Sequence, residues 1–211
     1  MRVLAVALAL SLGYLCGALP WGLWIGRLAR GIDVREHGSR NLGATNVYRV
    51  LGPGLGILTL LLDVSKGALP VWLVPALAPM DAFPGGGDWC AVTVGLAAVA
   101  GHVWTCFADF RGGKGVATTV GVLLATAPGA FGVFVAVFAL VLLITRYVSL
   151  ASVLSSLAFV VALALTTGAT SPTFAMGALL AALVVLRHRE NMKRLARGEE
   201  RRFSWKGGGT S

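Results

Sequence analysis

The sequence predicts an all-α integral membrane protein: a seven-helix transmembrane bundle with two short helices forming a hairpin, N-terminus outside and C-terminus cytoplasmic. Three observations carry that expectation. Of 211 residues, 56% are hydrophobic and only 13% charged, about half the charge of an ordinary soluble domain. The apolar residues gather in runs at about 3–26, 54–79, 89–107, 116–144, 147–167 and 172–187, near the ~20 residues a helix needs to cross a bilayer. Lys and Arg collect in the connections and the tail, as the positive-inside rule asks of cytoplasmic segments. The net charge of +9 therefore speaks for anionic headgroups rather than nucleic acid.

The first run, 3–26, exceeds the 7–15-residue apolar core of a signal peptide, so it is expected to stay in place as a span. The fourth run, 116–144, is long for one crossing and is interrupted by Pro128-Gly129. A single crossing would put the tail's Arg187, Arg189, Lys193, Arg194, Arg197, Arg201, Arg202 and Lys206 opposite the basic loop 27–49. A hairpin of two short helices turning at Pro128-Gly129 instead gathers 27–49, Arg111, Lys114, Arg146 and the tail on one side. The other side then holds 80–88, with Asp81 and Asp88 but no Lys or Arg, the uncharged 168–171, and Met1-Arg2. Charge decides for the hairpin.

Trp21, Trp24, Trp89 and Trp104 fall near run ends, as an interfacial belt does. The 28 glycines suit close helix packing in lipid. Cys16, Cys90 and Cys106 have neither paired nor metal spacing and read as packing residues. No internal repeat appears, so residues 1–211 are expected to form one domain, with 206–211 ("KGGGTS") a disordered end.

The polar residues form four constellations. Residues 38–52, "GSRNLGATNVYRVLG", concentrate hydroxyls, amides and Arg forks, all donors to phosphate oxygens; a solvated loop would also account for them. A short helix over 44–50 would put Thr45 and Arg49 on one face. Residues 101–121, "GHVWTCFADFRGGKGVATTVG", set glycines around Lys114 just before a helix start, where backbone N–H groups and the helix dipole favour an anion. This is not a P-loop: Ala108 and Gly115 stand where that motif needs Gly and Ser/Thr. In "RHRENMKRLARGEE", 187–200, His188 and Asn191 are three apart at the end of the last run. Residues 193–202 read as a basic amphipathic helix on headgroups, and Glu190 as an ion-pair partner of Arg187 and Arg194. "DVSKG", 63–67, places Asp63 and Lys66 inside an apolar run, where charge marks either function or a structural pair.

This inventory is rich in anion binders and in little else. No Cys/His/carboxylate cluster resembles a metal site, and there is no G-x-S-x-G elbow. An acyl-CoA transferase with Asp five residues after its His is excluded, because Leu42, Phe107 and Lys193 follow His37, His102 and His188 at that spacing. An alcohol phosphatidyltransferase would need clustered Asp ligands. A transporter of phosphorylated solutes would need polar residues through the whole bundle, whereas these gather mostly on one side.

These strings resemble the bacterial acyl-phosphate:glycerol-3-phosphate acyltransferase family (PlsY). "GSRNLGATN" with Arg49, "GHVWTCF" with "GGKGVAT", and "RHREN" match its three cytoplasmic motifs, and "LDVSKG" fits as well, over roughly residues 10–200. Thr105-Cys106 and Ala108-Asp109 depart from the family's wording between motifs. The resemblance implies transfer of a fatty acyl group from acyl phosphate to the sn-1 hydroxyl of glycerol 3-phosphate. The products would be lysophosphatidic acid and inorganic phosphate, the first step of phospholipid biosynthesis, with no cofactor, at the cytoplasmic face of the cell (inner) membrane. It implies a catalytic set of Ser39, Arg49, Lys114, His188 and Asn191. Around it would stand a substrate-binding set of Asn41, Gly43, Thr45, Asn46, Lys66, His102, Gly112, Gly113 and Gly115. In that reading Ser39 and Arg49 hold phosphate, Lys114 and the loop glycines bind glycerol 3-phosphate, and the acyl tail lies between helices.

Overall fold

The computed structural model describes residues 2–77, 82–83 and 85–205, and every regular element among them is helical. The expectation for 206–211, and Asp81 of the acidic connection, lie outside the described residues. Among the described residues ten α-helices succeed one another: α1 Arg2–Ala18, α2 Trp21–Arg30, α3 Ala44–Leu51, α4 Pro53–Leu77, α5 Gly87–Val103, α6 Val116–Thr126, α7 Pro128–Thr145, α8 Val148–Thr167, α9 Pro172–Arg187 and α10 Arg189–Ala196. Five stretches of the described residues are long and apolar enough to cross a membrane, and α6 and α9 are shorter apolar helices.

The first apolar run is not one straight span. Pro20 lacks an N–H and disfavours helical backbone at the residue before it, so α1 stops at Ala18 and α2 restarts at Trp21. α2 is amphipathic, burying Gly22, Leu23 and Gly26 against Val34, Leu42 and Val47. Helix α4 continues through Pro70 and Pro75 and carries Asp63 and Lys66 inside the bundle, at 2% and 5% exposure.

The run 116–144 divides at Pro128 as expected, but the halves are unequal. α6 has 11 residues and α7 has 18, enough to cross on its own; only α6 is short. Non-helical backbone at Ala127 (φ −150°, ψ 73°) ends α6, and Pro128 opens α7 at the position where its missing N–H is harmless. Lys114, before α6, and Ser149, just after the start of α8, are joined through Asn191 and Glu200. The α6–α7 pair therefore leaves one polar cluster and returns to it.

Packing is set by the small residues. A Cβ on Gly67 would overlap the carbonyl of Thr118, and one on Gly121 would overlap that of Val64, so α4 and α6 touch backbone to backbone. Phe134, Phe159, Leu163 and Leu123 fill the space among α6, α7 and α8. Val94, Val99, Met176 and Leu180 join α5 to α9. Cys90 is buried, but Cys106 is exposed and packs little.

Candidate active site

Residues 33–51 build the first wall. Asp33 caps a short 3-10 turn and pairs with Arg35 at 2.8 Å. That guanidinium hydrogen bond holds the Asp33 carboxyl down at about 2 despite its burial. Arg35 also reaches Ala108 O and Asp109, tying this wall to the glycine loop. The knot of the loop is Asn46, 1% exposed. Its Oδ1 accepts from Ser39 N at 2.7 Å, and its Nδ2 donates to Val34 O, Asn41 O and His37 O. Asn46 is thereby spent on the loop and has nothing left for a substrate. Asn41 Oδ1 accepts from Gly43 N at 2.8 Å, which sets Gly43 as the residue preceding α3. The hydroxyls of Ser39 and Thr45 have no hydrogen-bond partner among the described residues. Arg49, on the Thr45 face of α3, has its pKa lowered by burial, partly offset by Glu200.

Residues 105–115 build the second wall. Thr105 Oγ1 donates to Ala18 O and accepts from Phe107 N. The chain then folds back on the end of α5, with Gly112 N donating to Val103 O and Gly113 N to His102 O, both at 3.1 Å. Gly113 lies on the His102 ring, where a Cβ would run into Nε2. Gly115, with φ +83°, turns the chain into α6, a left-handed conformation that suits glycine. Lys114, between them, donates to Asn191 Oδ1 at 2.5 Å. Burial brings its pKa down to about 8, with Glu200 opposing and Arg194, Arg49 and Arg187 adding to the fall.

The third wall is the end of α9 together with α10. Arg187 donates to Gly113 O at 3.1 Å. His188 is buried, its Nδ1 2.8 Å from Val184 O; a carbonyl only accepts, so Nδ1 carries the proton and Nε2 the lone pair. Burial, then the Lys114 charge, push His188 down to about 4, so the ring is neutral at pH 7.

The residue the sequence reading missed is Glu200. The expected helix over 193–202 ends at Ala196. Gly198, at φ +72°, turns the chain back across the polar face. Glu200 is 6% exposed in its side chain and accepts from Asn191 Nδ2 at 2.7 Å, Ser149 Oγ at 2.8 Å and Arg194 Nε at 2.9 Å. Burial works to raise its pKa, but those three donors outweigh it and hold it low. The signal was Gly198, a helix stop just past the last periodic residue. Glu190 is an ion-pair residue as expected, though its partners are Lys193 and Arg189, not Arg187 and Arg194.

Arg49, Lys114, Arg187, Asn191 and His188 thus meet in one electrostatic neighbourhood, together with the loop glycines. Lys66 does not: its ammonium is committed to Asp63 at 2.8 Å and Leu19 O at 2.7 Å, one layer below. His102 belongs to that deeper layer and supports Gly113 from beneath. What remains open to a ligand is a set of cations, hydroxyls and backbone N–H groups, which is an anion site.

The glycerol-3-phosphate acyltransferase family profile matches residues 7–198. The chain belongs to that family. The glycerol-3-phosphate acyltransferase of Desulforudis audaxviator is 43% identical over 206 residues, 98% of this chain and all of that one. The enzyme of Myxococcus xanthus is 47% identical over 192 residues, 91% and 96% of the two chains. Among solved structures, PlsY (YgiH), an integral membrane glycerol 3-phosphate acyltransferase crystallised in its glycerol 3-phosphate form, superposes with a TM-score of 0.85 at 37% identity. The match covers 94% of this chain and 96% of that one. The family fold thus extends over nearly the whole protein.

Proposed function

We propose that this protein transfers a fatty acyl group from acyl phosphate to the sn-1 hydroxyl of glycerol 3-phosphate, giving lysophosphatidic acid and inorganic phosphate. The observation that carries the reading is the semi-buried Lys114, held by a neutral amide among Arg49 and Arg187 in a loop of glycines. A relative of the same fold has been crystallised in glycerol 3-phosphate and lysophosphatidic acid forms. Family membership carries acyltransfer to glycerol 3-phosphate; the donor, the regiochemistry and the residue roles are our proposal.

Lys114 and the N–H of Gly115 take the phosphate of the acceptor, on a turn that the bonds of Gly112 N to Val103 O and Gly113 N to His102 O hold in place. Arg49, with the free hydroxyls of Ser39 and Thr45, takes the phosphate of the donor. Asn41, Gly43 and Asn46 shape that wall. The acceptor hydroxyl oxygen attacks the acyl carbonyl carbon, the bond from that carbon to the phosphate oxygen breaks, and phosphate departs with the hydroxyl proton. Acyl phosphate carries a good leaving group, so no enzyme nucleophile is needed. Holding two reactants in line is itself worth ~7–11 kcal/mol, and cations on the leaving phosphate add to it. With a pKa near 4, His188 is a weaker base than a phosphate dianion, so a substrate phosphate rather than His188 takes the proton.

The one-sided placement of Lys and Arg and the out-and-back α6–α7 pair support seven crossings in one domain, N-terminus outside, with the polar cluster at the cytoplasmic face of the cell membrane. The acyl chain then lies among the helices with its head at the cluster. The test gives purified protein glycerol 3-phosphate with palmitoyl phosphate or palmitoyl-CoA, following phosphate and lysophosphatidic acid. Product from acyl phosphate alone supports the proposal; product from the CoA ester alone overturns the donor, and none from either overturns the reaction.

A further inference from the structure

One layer beneath Lys114 lies a polar cluster that the reaction leaves unused. Asp63 and Lys66 pair at 2.8 Å, and Lys66 ties α4 to the break between α1 and α2 through Leu19 O. A buried ion pair is a poor source of stability and a good means of fixing register. His102 Nδ1 stands 3.7 Å from Asp63 Oδ1, beyond direct hydrogen-bond reach. Trp21, expected in the interfacial belt, turns its indole nitrogen inward. Trp21 Nε1 and His102 Nδ1 are both buried without a hydrogen-bond partner. Both line one small cavity of about 10 Å³, together with Asp63, Lys66, Thr105 and Gly113. That is the room one water needs, and polar partners are there to hold it. The carbonyl of the same histidine receives Gly113 N, and its ring carries the Gly113 Cα.

We propose that one internal water, bound by Trp21 Nε1, His102 Nδ1 and the Asp63 carboxylate, completes a polar latch that sets the height of residues 112–115 and so of the Lys114 ammonium. The indole N–H only donates and a carboxylate only accepts, so the water takes a hydrogen bond from the first and gives one to the second. Its remaining capacity meets His102 Nδ1, and the 3.7 Å gap is bridged. Trp21, Asp63 and Lys66 are positioning residues that act through His102. Their kinetic effect rests on the reading that Lys114 binds glycerol 3-phosphate.

The test compares wild type, Trp21→Phe and the paired replacement Asp63→Asn with Lys66→Met, each in detergent. Steady-state kinetics with palmitoyl phosphate are run beside hydrogen–deuterium exchange of residues 111–116 without substrate. Trp21→Phe removes the donor and keeps an aromatic ring beside Trp24. It should raise the KM for glycerol 3-phosphate several-fold, with kcat within about two-fold and the KM for palmitoyl phosphate unchanged. Exchange at the Gly112 and Gly113 amides should rise about ten-fold while α7 and α8 stay as they were. The double variant should show the same pattern more strongly; if it does not fold, Trp21→Phe decides. Wild-type exchange at 111–116 in the folded variants overturns the latch whatever the kinetics. An inactive wild type overturns the proposed reaction instead and leaves the exchange comparison to judge the latch.

Discussion

Lys114 donates to the side-chain oxygen of Asn191 at 2.5 Å, across 77 positions of sequence. The amide nitrogen of the same Asn191 donates to Glu200 at 2.7 Å, which fixes which way the amide faces. In the proposed reading, the cation that takes a substrate phosphate is thus parked on a neutral acceptor. It can exchange that acceptor for a phosphate without first breaking an ion pair, while Glu200 one step away keeps the amine charged.

Replacing Asn191 with Asp would turn the parking contact into an ion pair and set a negative charge beside an incoming phosphate. The KM for glycerol 3-phosphate should rise by one to two orders of magnitude, with the larger share of the loss in KM. Lys114→Met should lower kcat/KM by about 10³, roughly 4 kcal/mol of transition-state stabilisation. Steady-state kinetics of both variants check this, and Asn191→Asp with an unchanged KM would refute the exchange of amide for phosphate.

His188 makes stability depend on acid. Its folded pKa of about 4 lies below the ~6.5 of an unfolded histidine. Between those values the unfolded chain binds a proton that the folded protein refuses. Stability therefore falls as pH drops through 6.5 toward 4, with a full cost of roughly 3 kcal/mol below that window. Melting in detergent from pH 7.5 to 4.5 should show the decline, and His188→Asn should flatten it. Equal slopes would mean another group governs the acid limb.

Asn46 supports the first wall through four hydrogen bonds from a buried amide. Asn46→Ala strands Ser39 N and three carbonyls, and should cost about 2–4 kcal/mol with loss of both kcat and substrate affinity. Asn41→Ala removes one bond, to Gly43 N, and should cost under about 1.5 kcal/mol. A thermal melt of the two variants ranks them; an Asn46→Ala protein as stable as wild type would contradict its structural role.

The features legible in the sequence came from one-dimensional signals. The apolar runs marked α4, α5, α8 and α9 within a few residues. Pro128 marked the break between α6 and α7, and the expected short helix over 44–50 is α3, with Thr45 and Arg49 on one face. The features that were not legible depend on partners distant in sequence. A composition count sees Lys66 and Asn46 as anion binders, but their atoms are consumed by Asp63, Leu19, Ser39 and Val34. Pro20 reads as tolerable in an apolar run until α2 is seen to bury one face against Val34 and Val47. Glu200 looked like one more charge on a surface helix because its donors Ser149 and Asn191 lie 51 and 9 residues away.

Glu200 also supplies the sharpest pH prediction. Its carboxylate lies in Coulombic reach of Lys114 and favours the protonated amine. With Lys114 at about 8, kcat/KM should fall on an alkaline limb near that pH, well above the second ionisation of a phosphate ester at ~6. Glu200→Gln keeps the shape but removes the charge, so the amine loses its proton more easily and the limb moves to lower pH. The same change sets an amide NH2 among the donors Ser149, Asn191 and Arg194, which should loosen residues 199–205. Tyr48 packed on Phe203 at 4.9 Å, Phe203 N on Arg146 O, Tyr48 OH on Trp205 O and Arg202 on Tyr147 would then still restrain that strap. A pH–rate profile of the folded Glu200→Gln protein reads the first effect and hydrogen exchange over 199–205 the second. A limb that stays put, or moves to higher pH, would show that the proton on Lys114 does not govern acceptor binding.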